Sequence, residues 1–526
     1  MSPLEAQAEQ FGSSYRWLAT ATVMLGTIAT TATATIVNVA MGDIMGAFGL
    51  GQDQVQWLST GFLAAMTATM LMTAWALDRL GFRNTFIGAL TIFVAGCILG
   101  ATSRSGAEVI LARVLQGGAS GIIQPLAMVV MSQVFPPEQR GKAMGIYGVG
   151  IVLAPALGPT AGGILVDQYD WRDVFLVVVP FCVAGMGMAS VTLPGLGRAE
   201  NRQHQKFDAV GFALLVIALV AVLTGLSNGQ REGWDSDFVL SMFATATVST
   251  IAFIGFELHT PHPLLSLHVF AVGRFSAGCA VAFALGAGIY GSTYVVPLFV
   301  QSVQGYTPTR SGLLLMPAGF ILALVFPIAG QLSDRLPPHI PIMTGLALFG
   351  LSCWFSGGVD VDTSFWTLAL LVMLGRVGLG VMLPALNAGA LRALPRDRLA
   401  QGSGSLNFVR QLGGAFGVNL LSVLIDRRTA FHGDALAQAL TPANSAGIEA
   451  LTRLSILFSH WGNPFGNRLP TGIHPGSMGF LETVLVSKAR LIAYQDSFYV
   501  VALVFFLAII PAFAMGRGSK TSARAG

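Results

Sequence analysis

Long apolar runs, separated by short polar joints, occupy nearly the whole chain. The first follows a polar start and Arg16 and extends from Trp17 to Ala40. Others lie at 54–77, 85–102, 107–132, 143–166, 174–193, 208–227, 237–256, 276–300, 311–332, 342–358, 365–390, 405–426 and 494–515. Each approaches the roughly 20 residues that a helix needs to cross a bilayer. The runs are continuous, whereas a membrane-spanning strand would alternate apolar with polar residues, so helices and not a barrel are expected. The first run is too long for the core of a signal peptide and many more follow it, so it reads as a span and not as a cleaved leader. The pattern predicts an all-α polytopic membrane protein with fourteen transmembrane helices.

Composition sharpens this. Of 526 residues, 53% are hydrophobic and only 10% charged, whereas soluble proteins carry about 25% charge. So few charges could not cover the surfaces of a multidomain cytosolic enzyme. The net charge of +4 is too small and scattered for a nucleic-acid binder. Cys97, Cys182, Cys279 and Cys353 sit far apart inside apolar runs and read as small hydrophobes, not as a disulfide or metal framework. Fourteen spans put both termini on one side. If that side is the cytoplasm, its short loops and tails hold sixteen Lys/Arg, among them Arg79, Arg83, Arg140, Lys142, Arg198, Arg202, Lys206, Arg392, Arg396 and Arg398, against four in the short outer loops. The positive-inside rule therefore predicts cytoplasmic termini.

The chain also repeats itself. ALDRLGFR at 76–83 has a counterpart in GQLSDRLP at 330–337, and ARVLQGG at 112–118 one in GRVGLG at 375–380. The offsets, 256 residues from Asp78 to Asp334 and 263 from Arg113 to Arg376, are close to half the chain. This predicts an N-terminal six-helix bundle (17–193), a two-helix insert (208–256) and a C-terminal six-helix bundle (276–515), with tails at 1–16 and 516–526 and a long outer loop at 427–490. Parallel repeats with a site between them are a recurring transporter plan.

One stretch of the fifth span, APALGPTAGG at 154–163, stands out. Pro155 and Pro159 cannot donate backbone bonds and loosen the helix, while Gly158, Gly162 and Gly163 leave a flat face for another helix. This stretch resembles motif C, the antiporter mark of the major facilitator superfamily. The loop after the second span resembles motif A, with Asp78, Arg79, Gly81 and Arg83 in place and departures at Ala74 and Phe82; its second-half copy keeps Gly330, Leu332, Asp334 and Arg335. Arg113, Gln116 and Gly117 resemble motif B. TIVNVA at 35–40, YDWRDVF at 169–175 and LNFVRQLGGAFG at 406–417 are similar to stretches of the fourteen-span drug:proton antiporters of the EmrB/QacA type.

The resemblance implies the major facilitator fold, two six-helix bundles plus two central helices, and an inner-membrane secondary exporter of amphipathic or hydrophobic drugs working by alternating access with protons as counter-ion. It also implies a latch at Asp78, Arg79, Arg83, Asp334 and Arg335, and a motif C face that keeps the fifth span tight against 311–332. For the 427–490 loop it implies a periplasmic adaptor protein and an outer-membrane channel, although a solvated insertion would look the same. One departure matters: the family usually has a carboxylate two residues before TIVNVA, and here Thr33 holds that position. No acidic residue falls near a span centre, and Asp43, Asp167, Asp426 and Asp496 lie at span ends. Intramembrane carboxylates commonly carry the coupled proton. Without one, Asp78, another peripheral carboxylate or exchange of a substrate cation remains.

Arg113 is the basic residue placed firmly inside a span, where a charge faces a cavity or a partner: carbonyls, Thr33, Asn38 or an anionic substrate. Polar residues of the cavity-lining spans, Thr33, Asn38, Gln124, Tyr290 and Tyr294, are the substrate-contact candidates. Two alternatives stand beside drug export: an exporter of an endogenous anionic or lipid-like compound, and a scaffold or receptor without turnover. His259, His262 and His268 suggest metal spacing but lack further ligands, and GVGIVLA at 148–154 imitates a dinucleotide loop inside a span with no strand before it. No metal, cofactor or nucleic acid is expected.

Overall fold

The computed structural model describes residues 13–50, 52–195, 207–261, 263–395, 398–438, 449, 452–457 and 475–516. Its described residues form helices and connecting turns with no strand. Fourteen long helices appear among them, labelled here in chain order: α1 (Ser13–Val39), α2 (Gln52–Met70), α3 (Thr73–Ala101), α4 (Gly106–Val134), α5 (Arg140–Gln168), α6 (Val179–Thr192), α7 (Ala209–Glu232), α8 (Asp237–His259), α9 (Gly273–Ser302), α10 (Pro308–Arg335), α11 (His339–Ser356), α12 (Phe365–Arg392), α13 (Leu399–Gln438) and α14 (Pro475–Ala514). Twelve helical segments are long and apolar enough to cross a membrane, and α2 and α5 pack among them. The protein is a multi-pass membrane protein. Helices follow because lipid offers no hydrogen bonds, so each backbone N–H and C=O must be satisfied within its own segment.

The packing repeats as the sequence does. In the first half α1 packs on α4, α5 and α6, α2 on α4, and α3 on α4 and α6. In the second half α9 packs on α12, α13 and α14, α10 on α12, and α11 on α12 and α14. Each pair has its counterpart eight helices on, six plus the α7–α8 pair between the halves. The halves meet through two equivalent crossings: α5 reaches α10 and α12, and α13 reaches α4 and α2. The α7–α8 pair packs on itself, and α7 lies along the seam between α2 and α13.

Glycines set how closely these helices approach. A Cβ at Gly121 of α4 would land on Thr69 Oγ1 and the Met66 carbonyl of α2, and one at Gly117 on the Phe62 carbonyl. The second half repeats this where Gly413 of α13 meets the Phe283 carbonyl and Gly286 of α9 meets the Arg410 carbonyl. Gly81 acts differently. It has φ 73° and ψ 174°, a left-handed conformation that suits glycine, and it divides the stretch Thr73–Ala101 into the end of the second span and the start of the third.

Two expectations change. The segment 427–490 is not a loop throughout, because α13 continues to Gln438 and α14 begins at Pro475. Each of these helices has 40 residues, about 60 Å at 1.5 Å per residue, twice the apolar thickness of a bilayer. Asp496 of α14 joins the two by pairing with His432 at 2.9 Å and Arg428 at 3.4 Å. Within 427–490, residues 452–457 are helical; most of the rest of 440–475 lies outside the described residues. The second change concerns the motif C glycines. Gly158 and Gly162 approach Thr35 and Ile36 of α1, not α10, and nothing lies within 4 Å of a Cβ on Gly163. The contact with α10 is made earlier on α5, where Gly141 meets Gly330 and Gly145 and Gly148 meet Phe326. The backbone of α5 runs through Pro155 and Pro159, whose side chains lie outside the described residues.

Gly121→Val should cost about 2 kcal/mol or more through overpacking of α2 against α4. The readout is the apparent Tm of the detergent-solubilised protein, expected several degrees below wild type, and an unchanged Tm would contradict this close approach.

Candidate functional site

One end of the bundle carries the turns that hold Asp78-Arg79 and Asp334-Arg335, together with Lys142, Arg392 and Arg398; it is called the basic end below. Asp334, in the last turn of α10, accepts from the amides of Gly141 at 2.6 Å and Lys142 at 2.9 Å, the first residues of α5, and from Arg392 at 3.2 Å. A helix N-terminus presents unsatisfied N–H groups and a partial positive charge, so one carboxylate ties the second half to the first. Arg83 donates from Nε to the Leu193 carbonyl at 2.8 Å and from its amide to the Pro194 carbonyl at 3.2 Å, fastening the α3 turn to the end of α6. Asp78 is half-buried, and Arg79 and Arg335 are exposed. No bond of Asp78 matching that of Asp334 is among the contacts described.

Arg113 is fully buried. Its Nε donates to the Leu58 carbonyl of α2 at 2.9 Å, and its Nη1 donates to the Thr33 carbonyl of α1 at 3.1 Å and to Gln116 Oε1 at 3.1 Å. The guanidinium carbon lies 4.2 Å from the centre of the Phe62 ring, a cation–π contact. Gln116 in turn donates to Cys97 Sγ at 3.2 Å. The hydroxyl of Thr33 is turned back to the Ala29 carbonyl at 2.8 Å. Motif B therefore sits inside the first half and joins α1, α2 and α4, with Gly117 allowing α2 to approach.

The other polar candidates lie elsewhere. Tyr290 donates to Gln411 Oε1 at 2.9 Å and Tyr294 to Ser422 Oγ at 3.3 Å, both from α9 to α13. Gln124 is buried on α4, and its carbonyl accepts from the Tyr147 hydroxyl of α5 at 2.9 Å. The Asn38 side chain and His262 lie outside the described residues. The structure thus divides the predicted set into Thr33 and Arg113 inside the first half, and Gln124 and Tyr290 at the seam.

Several groups escaped the sequence reading. Arg410 of α13 is 6% exposed and donates to Asn407 Oδ1, one turn earlier, and the Tyr147 hydroxyl of the first half lies beside its guanidinium. Next to it, Ser403 donates to the Pro125 carbonyl at 3.1 Å and Asn407 to Met128 Sδ at 3.2 Å, both across the seam to α4. The sequence signal was present in LNFVRQLGG, but an arginine near a span edge looks like one that snorkels to water. Arg376 of α12 donates to Thr293 Oγ1 at 3.1 Å and lines a small cavity of the second half with Ser292, Ser352, Ser356 and Ser497.

Two carboxylates at the ends of the central pair are also buried: Asp208 (8% exposed) and Glu257 (4% exposed). Asp208 Oδ1 caps α7 through the Gly211 amide at 2.8 Å, and Glu257 Oε2 accepts from Leu265 at 3.3 Å. Their remaining oxygens, Asp208 Oδ2 and Glu257 Oε1, crowd the same side of Gly211 and have no hydrogen-bond partner.

With this geometry in place, four similarities are informative. The Major Facilitator Superfamily profile matches residues 23–418. The Multidrug export protein EmrB of Haemophilus influenzae is 28% identical over 492 residues, 93% of each chain. The Multidrug resistance protein B homolog of Mycobacterium tuberculosis is 30% identical over 423 residues, 78% of this chain and 77% of its own. Among solved structures, the human organic anion transporter MFSD10 (TETRAN) superposes with a TM-score of 0.62 at 14% identity, covering 94% of this chain and 99% of its own.

Arg113→Ala should remove the donor that ties the Leu58 carbonyl of α2 and the Thr33 carbonyl of α1 to α4, and lower stability by roughly 3 kcal/mol. Arg113→Lys should recover little of it, because one ammonium cannot match the planar fork. Thermal unfolding of the purified variants checks this, and wild-type melting of Arg113→Ala would contradict a joining role.

Proposed function

The chain belongs to the Major Facilitator Superfamily, and on that premise we propose that it is a secondary active exporter of amphipathic or hydrophobic compounds working by alternating access. The observation that carries this reading is where the halves touch. The side-chain contacts named between them come from the first turns of α5 and α13 and from the later parts of α2, α4 and α10. They gather at the basic end. Two bundles in contact at one end can rock, close at the other and open the first. The multidrug export proteins that this chain resembles support export as the direction.

In this reading the basic end faces the cytoplasm of an inner-membrane protein, as the distribution of Lys and Arg favours. Asp334 on the N-terminus of α5 is the latch of the cytoplasm-closed state, and the turn at Asp78, Arg79, Gly81 and Arg83 is its first-half counterpart. The α5 glycines facing α1 keep the first half rigid as it rocks. Segment 440–475 would meet a periplasmic adaptor leading to an outer-membrane channel, and loss of crosslinking to that adaptor when 440–475 is deleted is the expected sign.

Proton coupling is the finer part of the proposal. Thr33 leaves the usual helix 1 seat without a carboxylate, and Arg113 spends its Nε and Nη1 on the Leu58 and Thr33 carbonyls and Gln116, with its Nη2 left without a partner. The buried carboxylates that remain among the described residues are Asp208 and Glu257, whose unpartnered oxygens crowd one side of Gly211, and they are the proton carriers of this reading. They take the place of a peripheral carrier, at the root of the insert beside α2.

Efflux of a fluorescent amphipathic dye from energised cells should stop on adding a protonophore. Glu257→Gln should weaken the pH dependence of efflux while protein level stays normal. Efflux of no compound in a broad panel would sink the export reading, and protonophore-insensitive efflux would sink proton coupling alone.

Asp334→Ala removes three charge-assisted hydrogen bonds, together about 3 kcal/mol or more, and should shift the molecule toward opening at the basic end. Ser403→Cys, fully buried in the closed seam, should then label several-fold faster with a membrane-impermeant maleimide from that side; equal labelling rates with and without Asp334→Ala would rule out the latch.

A further inference from the structure

Three arginines lie inside the helical bundle, and they are answered differently. Arg113 reaches two carbonyls, a glutamine and an aromatic ring, all within the first half. Arg376 faces a cavity enclosed by the second half. Arg410 alone of the three stands at the seam, where α13 meets α4 and α5.

The surroundings of Arg410 are neutral. Asn407 accepts one of its N–H groups, leaving most of its five donors for other partners. The Tyr147 hydroxyl bonds to it from the first half, and Tyr290 stands near it in the second. Both tyrosines give their own protons away, to the Gln124 carbonyl and to Gln411 Oε1 at 2.9 Å each. Their hydroxyl oxygens are thus left to the guanidinium as weak acceptors. No ion pair of Arg410 with a carboxylate is present among the described residues. A buried cation held only by neutral groups is poorly compensated, and a guanidinium fork matches a carboxylate, phosphate or sulfonate with two parallel bonds. The groups around it are also the ones that part when the basic end opens, because Ser403 and Asn407, on the same stretch of α13, bond across the seam to α4.

We infer that Arg410, flanked by Tyr147 and Tyr290, is the loading site for an amphipathic substrate bearing an anionic group, an assignment that rests on the export reading above. When the basic end opens, the anion takes the guanidinium from Asn407 and Tyr147 while the substrate's apolar body lies against the two rings. After release on the far side, Arg410 returns to its neutral partners and the seam closes. One residue then serves both recognition and closure, without a carboxylate to neutralise it permanently.

The test compares a fluorescent coumarin carboxylic acid with its methyl ester, bound to the purified full-length protein and measured by equilibrium dialysis. The wild type should bind the acid about tenfold more tightly than the ester, the scale of one charge-assisted pair. R410Q should bind both alike, its ester binding showing that the variant is folded, and R410K should restore part of the preference. Tyr147→Phe, which removes the competing hydroxyl, should tighten acid binding several-fold. Equal wild-type affinity for acid and ester, or an acid preference that survives R410Q, would overturn the inference. If R410Q does not survive purification, Tyr147→Phe decides: tighter acid binding supports the site and unchanged binding overturns it. Acid binding without efflux from energised vesicles would sink the export reading and leave this site standing, whereas efflux of acid and ester at equal rates would do the reverse.

Discussion

Asp334 holds two amides of the first turn of α5, those of Gly141 and Lys142, with its two carboxylate oxygens, and much of the seam at the basic end follows from that contact. An acceptor of full negative charge meets the positive end of a helix 29 residues long, with Arg392 adding a second cation from α12. Three helices from two halves are thereby brought to one point. The approach is close because Gly141 and Gly330 oppose each other with no side chains between them. A larger residue at either position would push the carboxylate off the amides, so the polar contact and the packing depend on each other.

The internal repeat gives this seam a twin. On the other side α13 crosses to α2 and α4 as α5 crosses to α10 and α12, but the chemistry is not copied. There the contacts are a serine to a carbonyl, an asparagine to a thioether and Gly404 against the Met70 carbonyl. Weak neutral contacts on one side and a charged clasp on the other make an asymmetric closure. Helix α7 lies along the weaker seam, with Phe207 just before it against Trp75 at 4.9 Å, and covers it with apolar surface.

Charge inside an apolar bundle is costly unless answered locally, and the two halves answer it in different ways. Arg113 is surrounded by backbone acceptors of neighbouring helices that glycines have let in, so its charge is used to hold α1, α2 and α4 together. Arg410 sits where the neighbouring helix belongs to the other half, so its partners cannot all stay in place if the halves move. The buried acids Asp208 and Glu257 are near neither arginine; they lie at the root of the central pair, where Asp208 also caps α7.

The number of long helices, their approximate limits and the doubling of the fold were legible in the chain, because a bilayer-length apolar run admits one backbone solution and because a repeat in space leaves a repeat in residues. Arg113 and the DR turns were legible too, since a charge or a glycine in such a place has few reasons to be there. Other features were not. Apolar periodicity does not say which face of α5 meets which helix, so the motif C glycines were expected against α10, whereas Gly158 and Gly162 lie against α1. A polar residue near a span end looks the same whether it snorkels to water or turns inward, which hid Arg410 and the Asp208–Glu257 pair. Local composition thus determined the helices and their order; the partners of each charge were decided only when helices far apart in sequence came within hydrogen-bonding distance.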